Sequence, residues 1–262
     1  MSRSSLKNVL RLIDEAQEAL SPEQGFLQDL KRSIELDDIK NRRMPSMTYK
    51  PSSMQCIRNM YYQRTGTEPD KTDASYVLVG ICNSGSDIHQ RVQTAVSRMK
   101  ENGIDCEYLD VGKYVEEHNI KDVEVVSNVG METKLKHTTF HLSFMCDGII
   151  KYKGQHYILE IKTETGGKWF SRTDVDTKHY DQGTAYALAL GINRVIFVYV
   201  SRDTLDMKSF LFRVTDDMKQ ALVSKILDCD NYVEKKTPPP KPEVDRRVCQ
   251  YCNYAKTCKG DN

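Results

Sequence analysis

The sequence of 262 residues has no long hydrophobic run. No stretch approaches the roughly 20 consecutive apolar residues that a membrane-spanning helix needs. The first residues, Met1 to Leu6, also lack the apolar run of a secretory signal peptide. We therefore expect a cytoplasmic protein that has no membrane partner.

The sequence also lacks a strong net charge. Its 38 Lys and Arg residues nearly balance 37 Asp and Glu residues, for a formal net charge of +1. Any attraction to nucleic acid must therefore come from local basic patches, such as residues 40–43 and 246–247. Only 8 Pro and 14 Gly residues occur, with 39% hydrophobic and 29% charged residues, so broad disorder is not expected.

Hydrophobic spacing predicts helices toward both ends of the chain and strands between them. The predicted helices cover residues 6–20, 27–34, 54–64, 85–100, 173–190 and 216–233. The predicted strands cover residues 123–126, 131–135, 140–152, 156–163, 195–200 and 210–214. The strand at 195–200 is apolar throughout, which is typical of the middle of a mixed sheet.

This order predicts an α/β fold with a mixed central β-sheet flanked by helices. We expect an N-terminal helical extension over residues 1–48, a core over residues 49–242 and a cysteine-rich tail over residues 243–262. A stiff Pro-rich connector at residues 237–242 leads into that tail.

One hairpin carries residues that suit metal chemistry. Lys153-Gly154 fits a two-residue turn, and this register sets Asp147 directly opposite Glu160, with Lys162 on the same face. Two opposed carboxylates repel each other, and Mg²⁺ or Mn²⁺ would compensate. Lys162 would then orient an attacking water or stabilise developing charge. The alternative is an ordinary hairpin with a polar outer face.

Further candidate residues lie on neighbouring elements. His89 can add an imidazole ligand, and Glu132, on the preceding strand, can add a carboxylate. His179, Gln182 and Tyr186 share one face of the helix that follows the hairpin. Taken singly, His89 is better explained as a surface or satisfied histidine and Glu132 as part of a solvated face. Glu132 and His179 are the weaker candidates.

The cysteines fall into two groups. Cys249-x-x-Cys252-x(5)-Cys258 supplies three thiolates, and Cys56 can supply a fourth. By spacing alone, zinc is the default expectation for such a site. The remaining four are expected to be small buried hydrophobes: Cys82, Cys106, Cys146 and Cys229.

Taken in order, these motifs resemble the RecB-like branch of the PD-(D/E)XK nuclease superfamily. The matching residues are Gly85-x-x-x-His89, Asp147, Glu160-Ile161-Lys162 and Gln182-x-x-x-Tyr186. The resemblance implies a restriction-endonuclease-like core, a metal held by His89, Asp147, Glu160 and the main-chain carbonyl of Ile161, water activation by Lys162, and DNA contacts by Gln182 and Tyr186. One departure is that the glycine usual three residues before the aspartate is replaced by Phe144, while Gly148 follows it.

One cysteine before these motifs and three after them resembles the iron–sulfur nucleases of the AddB type and the RecB-like exonucleases associated with CRISPR systems. The resemblance covers about residues 50–262. It implies a four-iron four-sulfur cluster on Cys56, Cys249, Cys252 and Cys258, with zinc as the alternative. The cluster would tie the two ends of the chain together.

The function implied is that of a metal-dependent DNA nuclease, and we expect an exonuclease on single strands or DNA ends. Recombination, repair, CRISPR adaptation and viral DNA processing all remain open, with helicase, recombination or CRISPR adaptation proteins as partners. Trp169 and Phe170 can stack on unpaired bases, or simply pack in the core. Two alternatives stand beside this reading: a catalytically silent DNA-end-binding module, and a zinc-stapled endonuclease.

Overall fold

The structure is a computed structural model that describes residues 21–41, 46–70, 74–241, 243, 246–250 and 252–261. The helix predicted over residues 6–20 lies outside this part. So do Arg42 and Arg43 of the first basic patch and the side chains of the second patch, Arg246 and Arg247. Within the described residues, no helix is long and apolar enough to cross a membrane.

The chain forms two compact units. In the described part, the first unit contains residues 21–41 and 74–83. Its main element is helix α1, Pro22–Lys40, which is longer than the short helix predicted there. Glu35 accepts a hydrogen bond from the main-chain nitrogen of Tyr76 at 2.9 Å, and the Lys31 ammonium lies 4.9 Å from the centre of the Tyr76 ring.

The second unit contains the sheets and most of the helices, and helix α3 begins in the first unit and continues into it. Its helices are α2 Ile57–Arg64, α3 Tyr76–Ser97, α4 Val111–Glu117, α5 Gly166–Ser171, α6 Tyr180–Leu190, α7 Asp216–Glu234, α8 Arg246–Gln250 and α9 Ala255–Gly260. Its strands are β1 Cys106–Leu109, β2 Val123–Val129, β3 Glu132–His137, β4 Leu142–Cys146, β5 Gly148–Tyr152, β6 Gln155–Glu164, β7 Arg194–Ser201 and β8 Met207–Arg213.

The central sheet is mixed, as predicted. Its five strands are ordered β1-β5-β6-β7-β8, and β6 and β7 are parallel while the other neighbours are antiparallel. A separate antiparallel sheet contains β2, β3 and β4. Apolar side chains on the two faces of the central sheet pack in two clusters, one mainly against α2, α6 and α7 and the other against α3. The α/β fold class is therefore confirmed.

The hairpin between β5 and β6 has the predicted register. Gly148 pairs with Leu159 and Tyr152 pairs with Gln155. Lys153 and Gly154 have φ angles of 48° and 76°, the left-handed values that a tight turn of this type requires.

The single strand predicted over residues 140–152 is wrong. The chain leaves one sheet after β4 and enters the other at β5, and Asp147 is the residue between them. An almost continuous apolar sequence hides this change, because both strands are buried and hydrophobicity alone does not report which sheet a strand joins.

Several predicted helix limits are also wrong. Helix α3 begins nine residues before Gly85, so His89 lies in its middle and not in its first turn. Helix α6 begins at Tyr180, because residues 174–179 form a loop and a 3₁₀ turn. Cys56 precedes the first residue of α2. The end of α6 at Gly191, with a φ of 69°, is as predicted. Elements β1, α4 and α5 were not predicted.

Candidate active site

Asp147 lies at the junction of the two sheets. Continuing the β3/β4 register by one residue sets it opposite Glu132, and continuing the β5/β6 register by one residue sets it opposite Glu160. One aspartate therefore brings carboxylates from two separate sheets to one place. The fold explains the cluster, since no single hairpin would supply all three acids.

The main chain at Asp147 is held by side chains from two other elements. Its carbonyl oxygen accepts hydrogen bonds from Gln93 Nε2 of α3 at 2.7 Å and from the Tyr108 hydroxyl of β1 at 2.5 Å. Its carboxylate oxygen Oδ2 accepts from the Ile161 main-chain nitrogen at 2.6 Å. Asp147 is only 4% exposed, so these contacts fix the direction of its remaining oxygen.

Gly148 is explained by the same packing. A Cβ atom at this position would lie 2.6 Å from Cε2 and 2.8 Å from Cζ of the Tyr108 ring. Only a residue without a side chain allows the ring to approach closely enough for its hydroxyl to reach Asp147.

Glu160 is buried beside Asp147, with 3% exposure. Its Oε1 accepts from Lys162 Nζ at 2.6 Å and from Gln182 Nε2 at 2.7 Å. Burial raises the pKa of Glu160, and the Asp147 charge raises it further while Lys162 opposes the shift. Within the described residues, Glu160 Oε2 has no hydrogen-bond partner. A buried carboxylate oxygen without a partner is costly, so a cation is the expected compensation.

His89 completes the acidic cluster. Its Nδ1 lies 3.3 Å from Asp147 Oδ1 and 3.7 Å from Glu132 Oε1. Burial lowers the pKa of His89, but the hydrogen bonds with Asp147 and Glu132 outweigh it and raise the pKa to about 9. One donor atom from each of these three residues lies within 4.8 Å of the others, so the group can hold a metal ion.

Glu132 and Glu160 have different places around Asp147. The compact three-residue group includes Glu132, which the sequence offered only as a weaker candidate, and does not include Glu160. Glu160 instead binds Lys162 and Gln182 in this structure. The carboxylates of this group suit Mg²⁺ or Mn²⁺.

Gln182 and Tyr186 lie behind Glu160 on α6. The amide of Gln182 donates to Glu160, and its Nε2 lies 2.8 Å from the Tyr186 hydroxyl. That hydroxyl donates to the Met145 carbonyl at 3.0 Å. Both side chains are buried. In the described structure they connect α6 to β4 and β6, and their expected contact with DNA stays a prediction.

His179 faces a different neighbour. Its Nδ1 lies 2.8 Å from the Tyr199 hydroxyl. Burial, together with Lys162 and Lys178, lowers the pKa of His179 to about 2, which leaves the imidazole neutral. It lines a cavity together with Lys162 and is not part of the compact ligand group.

The four cysteines of the predicted cluster line one cavity of about 390 Å³. None forms a disulfide. Burial raises the pKa of the Cys56 thiol, and the nearby Cys258 and Cys249 raise it further. Tetrahedral zinc with four thiolates requires sulfur–sulfur distances of about 3.8 Å. Among the described residues, no three cysteine sulfurs lie within 4.8 Å of one another, so the thiols are not arranged as a closed zinc site in this structure.

Hydrogen bonds and an aromatic contact hold the C-terminal tail beside this cavity. Asp70 accepts hydrogen bonds from the main-chain nitrogens of Lys256 and Thr257 and from the Thr257 hydroxyl. The rings of Tyr62 and Tyr254 lie 5.3 Å apart. These contacts hold the three cysteines of the tail beside Cys56.

Trp169 and Phe170 have different environments. Trp169 donates from its indole nitrogen to the Tyr199 carbonyl at 2.9 Å and packs against the core. Phe170 is 80% exposed. Lys208 Nζ donates to the carbonyl oxygens of both residues at 3.0 Å, which fixes the helix end that presents Phe170.

Sequence reasoning missed Gln93 and Tyr108. Gln93 lies four residues after His89, so the two side chains share one face of α3, and an amide one turn from a candidate ligand is a usable signal. Tyr108 had no comparable signal, because β1 was not predicted.

Comparisons with protein families and with curated proteins found no match for this chain. Solved structures with a similar fold include one titled "Crystal structure of SSO0001", 14% identical over 91% of this chain and 99% of that one, with a TM-score of 0.48. An alkaline exonuclease (LHK-Exo) from Laribacter hongkongensis is 12% identical over 73% and 90%, with a TM-score of 0.46. Its complex with dAMP has 14% identity over 72% and 89%, and a TM-score of 0.44.

Proposed function

We propose that this protein is a metal-dependent DNA nuclease of the RecB-like PD-(D/E)XK type. The observation that carries the proposal is the position of Asp147, which joins Glu132 and Glu160 from two sheets beside His89 and Lys162. A structural role does not explain three acids gathered at a buried junction, because their mutual repulsion destabilises the fold.

The residues present fit a divalent cation. The unpartnered oxygen of Glu160, the carboxylates of Asp147 and Glu132, and the His89 imidazole are suitable donors. The resemblance adds the main-chain carbonyl of Ile161. A bound Mg²⁺ or Mn²⁺ lowers the pKa of a water nucleophile and stabilises negative charge on a phosphate.

The chain's own residues would orient this chemistry. Lys162 holds Glu160 and presents an ammonium beside the acids, where it can position the attacking water and stabilise charge on the scissile phosphodiester. Gln182 holds the same carboxylate from α6. Gln93 and Tyr108 hold the main chain at Asp147, so the carboxylate does not need to reorganise when substrate binds.

We propose that the cysteine cavity holds a four-iron four-sulfur cluster. Four thiols that line one cavity support a shared cofactor, and the resemblance of one cysteine before and three after the nuclease motifs to iron–sulfur nucleases supports the cluster over zinc. The role proposed is structural, because the cluster would link Cys56 to the C-terminal tail.

The preferred substrate proposed is a single strand or a DNA end. An exonuclease of this kind would act in recombination, repair, CRISPR adaptation or viral DNA processing, with a helicase, recombination or CRISPR adaptation protein as partner. A catalytically silent end-binding module would bind DNA without cleaving it. A zinc-stapled endonuclease would contain zinc and cut circular DNA.

One preparation tests the proposal. Protein purified without oxygen is analysed for visible absorption, iron and zinc, and then incubated with linear and circular DNA and Mg²⁺ or Mn²⁺. Glu160→Ala is expected to lose cleavage, whereas Glu234→Ala, at the exposed end of α7, should retain it. Equal activity in both variants would refute the mechanism, and colourless protein without iron would refute the cluster.

A further inference from the structure

A second cavity, of about 300 Å³, lies beside Lys162 at the end of β6. Its wall is dominated by cationic side chains. The charged or imidazole-bearing residues that line it are Lys162, Glu164, Lys168, Lys178, His179 and Arg202.

The one carboxylate in this wall is compensated largely from outside the cavity. Glu164 is buried and receives two hydrogen bonds from Arg172, at 2.6 Å from Nε and 2.7 Å from Nη2. This bidentate pairing uses both carboxylate oxygens. Lys168 also approaches Glu164 at 3.0 Å, but Arg172 satisfies most of its charge. The cavity therefore keeps an excess of positive charge.

Asp176 reduces this excess without removing it. Its Oδ2 lies 3.1 Å from Lys168 Nζ and 3.8 Å from Lys178 Nζ. Lys162 is paired with Glu160 and is left out of this balance. The four remaining cations face the two carboxylates of Glu164 and Asp176; they are Lys168, Arg172, Lys178 and Arg202.

Arg202 is the cation that most clearly lacks a partner. Within the described residues, its side chain has no ion pair, while its main-chain nitrogen donates to the Glu164 carbonyl at 2.8 Å. The turn that follows is held by Ser201 Oγ, which accepts from the main-chain nitrogens of Asp203 and Thr204. The guanidinium is thus presented from a fixed backbone.

Like charges are crowded in the wall. Burial and the neighbouring Lys168 lower the pKa of Lys178. His179 stays neutral, so its ring adds no charge of its own. A bound anion would relieve the repulsion between the lysines.

We propose that this cavity binds the terminal phosphate monoester of a DNA strand, next to the phosphodiester that reacts beside Lys162. This inference rests on the proposed nuclease function and deepens it. A phosphate monoester carries about −1.5 to −2 charge at neutral pH, more than the single charge of an internal phosphodiester, and so suits a cavity with several uncompensated cations. Recognition of a terminus would explain action at DNA ends.

Binding is tested without divalent metal, so that no cleavage occurs. Three single-stranded 10-mers with one internal fluorophore are compared by anisotropy: one with a 5′-phosphate, one with a 3′-phosphate and one with hydroxyls at both ends. We expect one phosphorylated strand to bind about 10-fold more tightly than the hydroxyl strand, which is the strength of one charged hydrogen-bonded contact. The end that is preferred identifies which terminus enters.

Arg202→Ala and Lys178→Ala should each lose most of this preference. Arg213→Ala, an exposed cation on β8 outside the cavity, is the matched control and should keep it. Equal binding of all three strands by the wild-type protein, or a preference that survives in both cavity variants, would overturn the proposal.

The same preparations separate this inference from the nuclease proposal. If wild-type protein cleaves DNA with Mn²⁺ and Glu160→Ala does not, yet no end preference exists, the nuclease stands and the phosphate site is wrong. If an end preference depends on Arg202 but no cleavage occurs, the phosphate site stands in a silent end-binding module and the nuclease is wrong.

Discussion

Gly148→Ala tests whether the packing of Tyr108 at the sheet junction positions the metal ligands. The new Cβ would lie 2.6 to 2.8 Å from three atoms of the Tyr108 side chain. The ring cannot withdraw without weakening the 2.5 Å hydrogen bond from its hydroxyl to the Asp147 carbonyl. Overpacking of this kind costs about 1–3 kcal/mol, and the hydrogen bond about 1 kcal/mol more.

We expect the free energy of unfolding of Gly148→Ala to fall by about 2–4 kcal/mol, measured by urea denaturation. The Mn²⁺ concentration for half-maximal cleavage should rise about 10-fold, because Asp147 loses its fixed direction and about 1.4 kcal/mol corresponds to a factor of ten. Gly167→Ala is the matched control, since a Cβ there meets no atom within 4 Å.

A double variant tests directly whether the Tyr108 ring causes the loss in Gly148→Ala. Tyr108→Ala removes the ring, so Gly148→Ala should cost much less in that background than in the wild-type protein. The two substitutions should therefore be strongly non-additive. Additive losses, or a Gly148→Ala variant as stable and as active at low Mn²⁺ as Gly167→Ala, would refute the role given to the Tyr108 ring.

Three further predictions concern other parts of the molecule. Burial raises the pKa of Asp176, but the hydrogen bond from Lys168 and the neighbouring lysines outweigh it and lower this pKa to about 2. The stability that ionised Asp176 contributes should be fully present above about pH 4, its unfolded pKa, and be lost as the pH falls through 2. Asp176→Asn should therefore be less stable than wild type at pH 6, and this difference should shrink as the pH falls from about 4 through 2. Phe170→Ala should weaken binding of single-stranded DNA by about 1–3 kcal/mol without changing the melting temperature, whereas Leu227→Ala, equally an exposed apolar residue, should bind normally. Cys252→Ala should lose iron and thermal stability more than it changes cleavage by the soluble fraction, and Cys82→Ala should keep its iron; a stable, iron-containing Cys252→Ala protein would argue against a cluster at this site.

The sequence was sufficient to predict the fold class and the β5/β6 hairpin. The Lys153-Gly154 turn fixes a register, and the register then places every side chain of the hairpin. The same logic could not detect that the strand before the hairpin belongs to another sheet. Pairing partners are set by long-range packing, which the local sequence of two buried strands does not encode.

The candidate site likewise contains residues that the sequence predicts and residues that it does not. His89, Asp147, Glu160 and Lys162 are predicted site residues from their order and chemistry, and the structure brings them together, while their roles stay predictions. The prominence of Glu132 could not be predicted, because it depends on β3 meeting β4 immediately before the sheet changes. Gln93 and Tyr108 act on a main-chain carbonyl, and such contacts leave no motif in the sequence.

The departure at Phe144 can be explained from this geometry. Phe144 is buried, and its ring stacks on Tyr186 with centroids 4.7 Å apart, while the Tyr186 hydroxyl binds the next carbonyl, that of Met145. The backbone at 144 does not have a positive φ, so nothing local requires glycine there. The close approach occurs instead at Gly148, on the other side of Asp147, where the Tyr108 ring needs the space. In this chain, the position at the junction that must lack a side chain is therefore Gly148, directly after the aspartate.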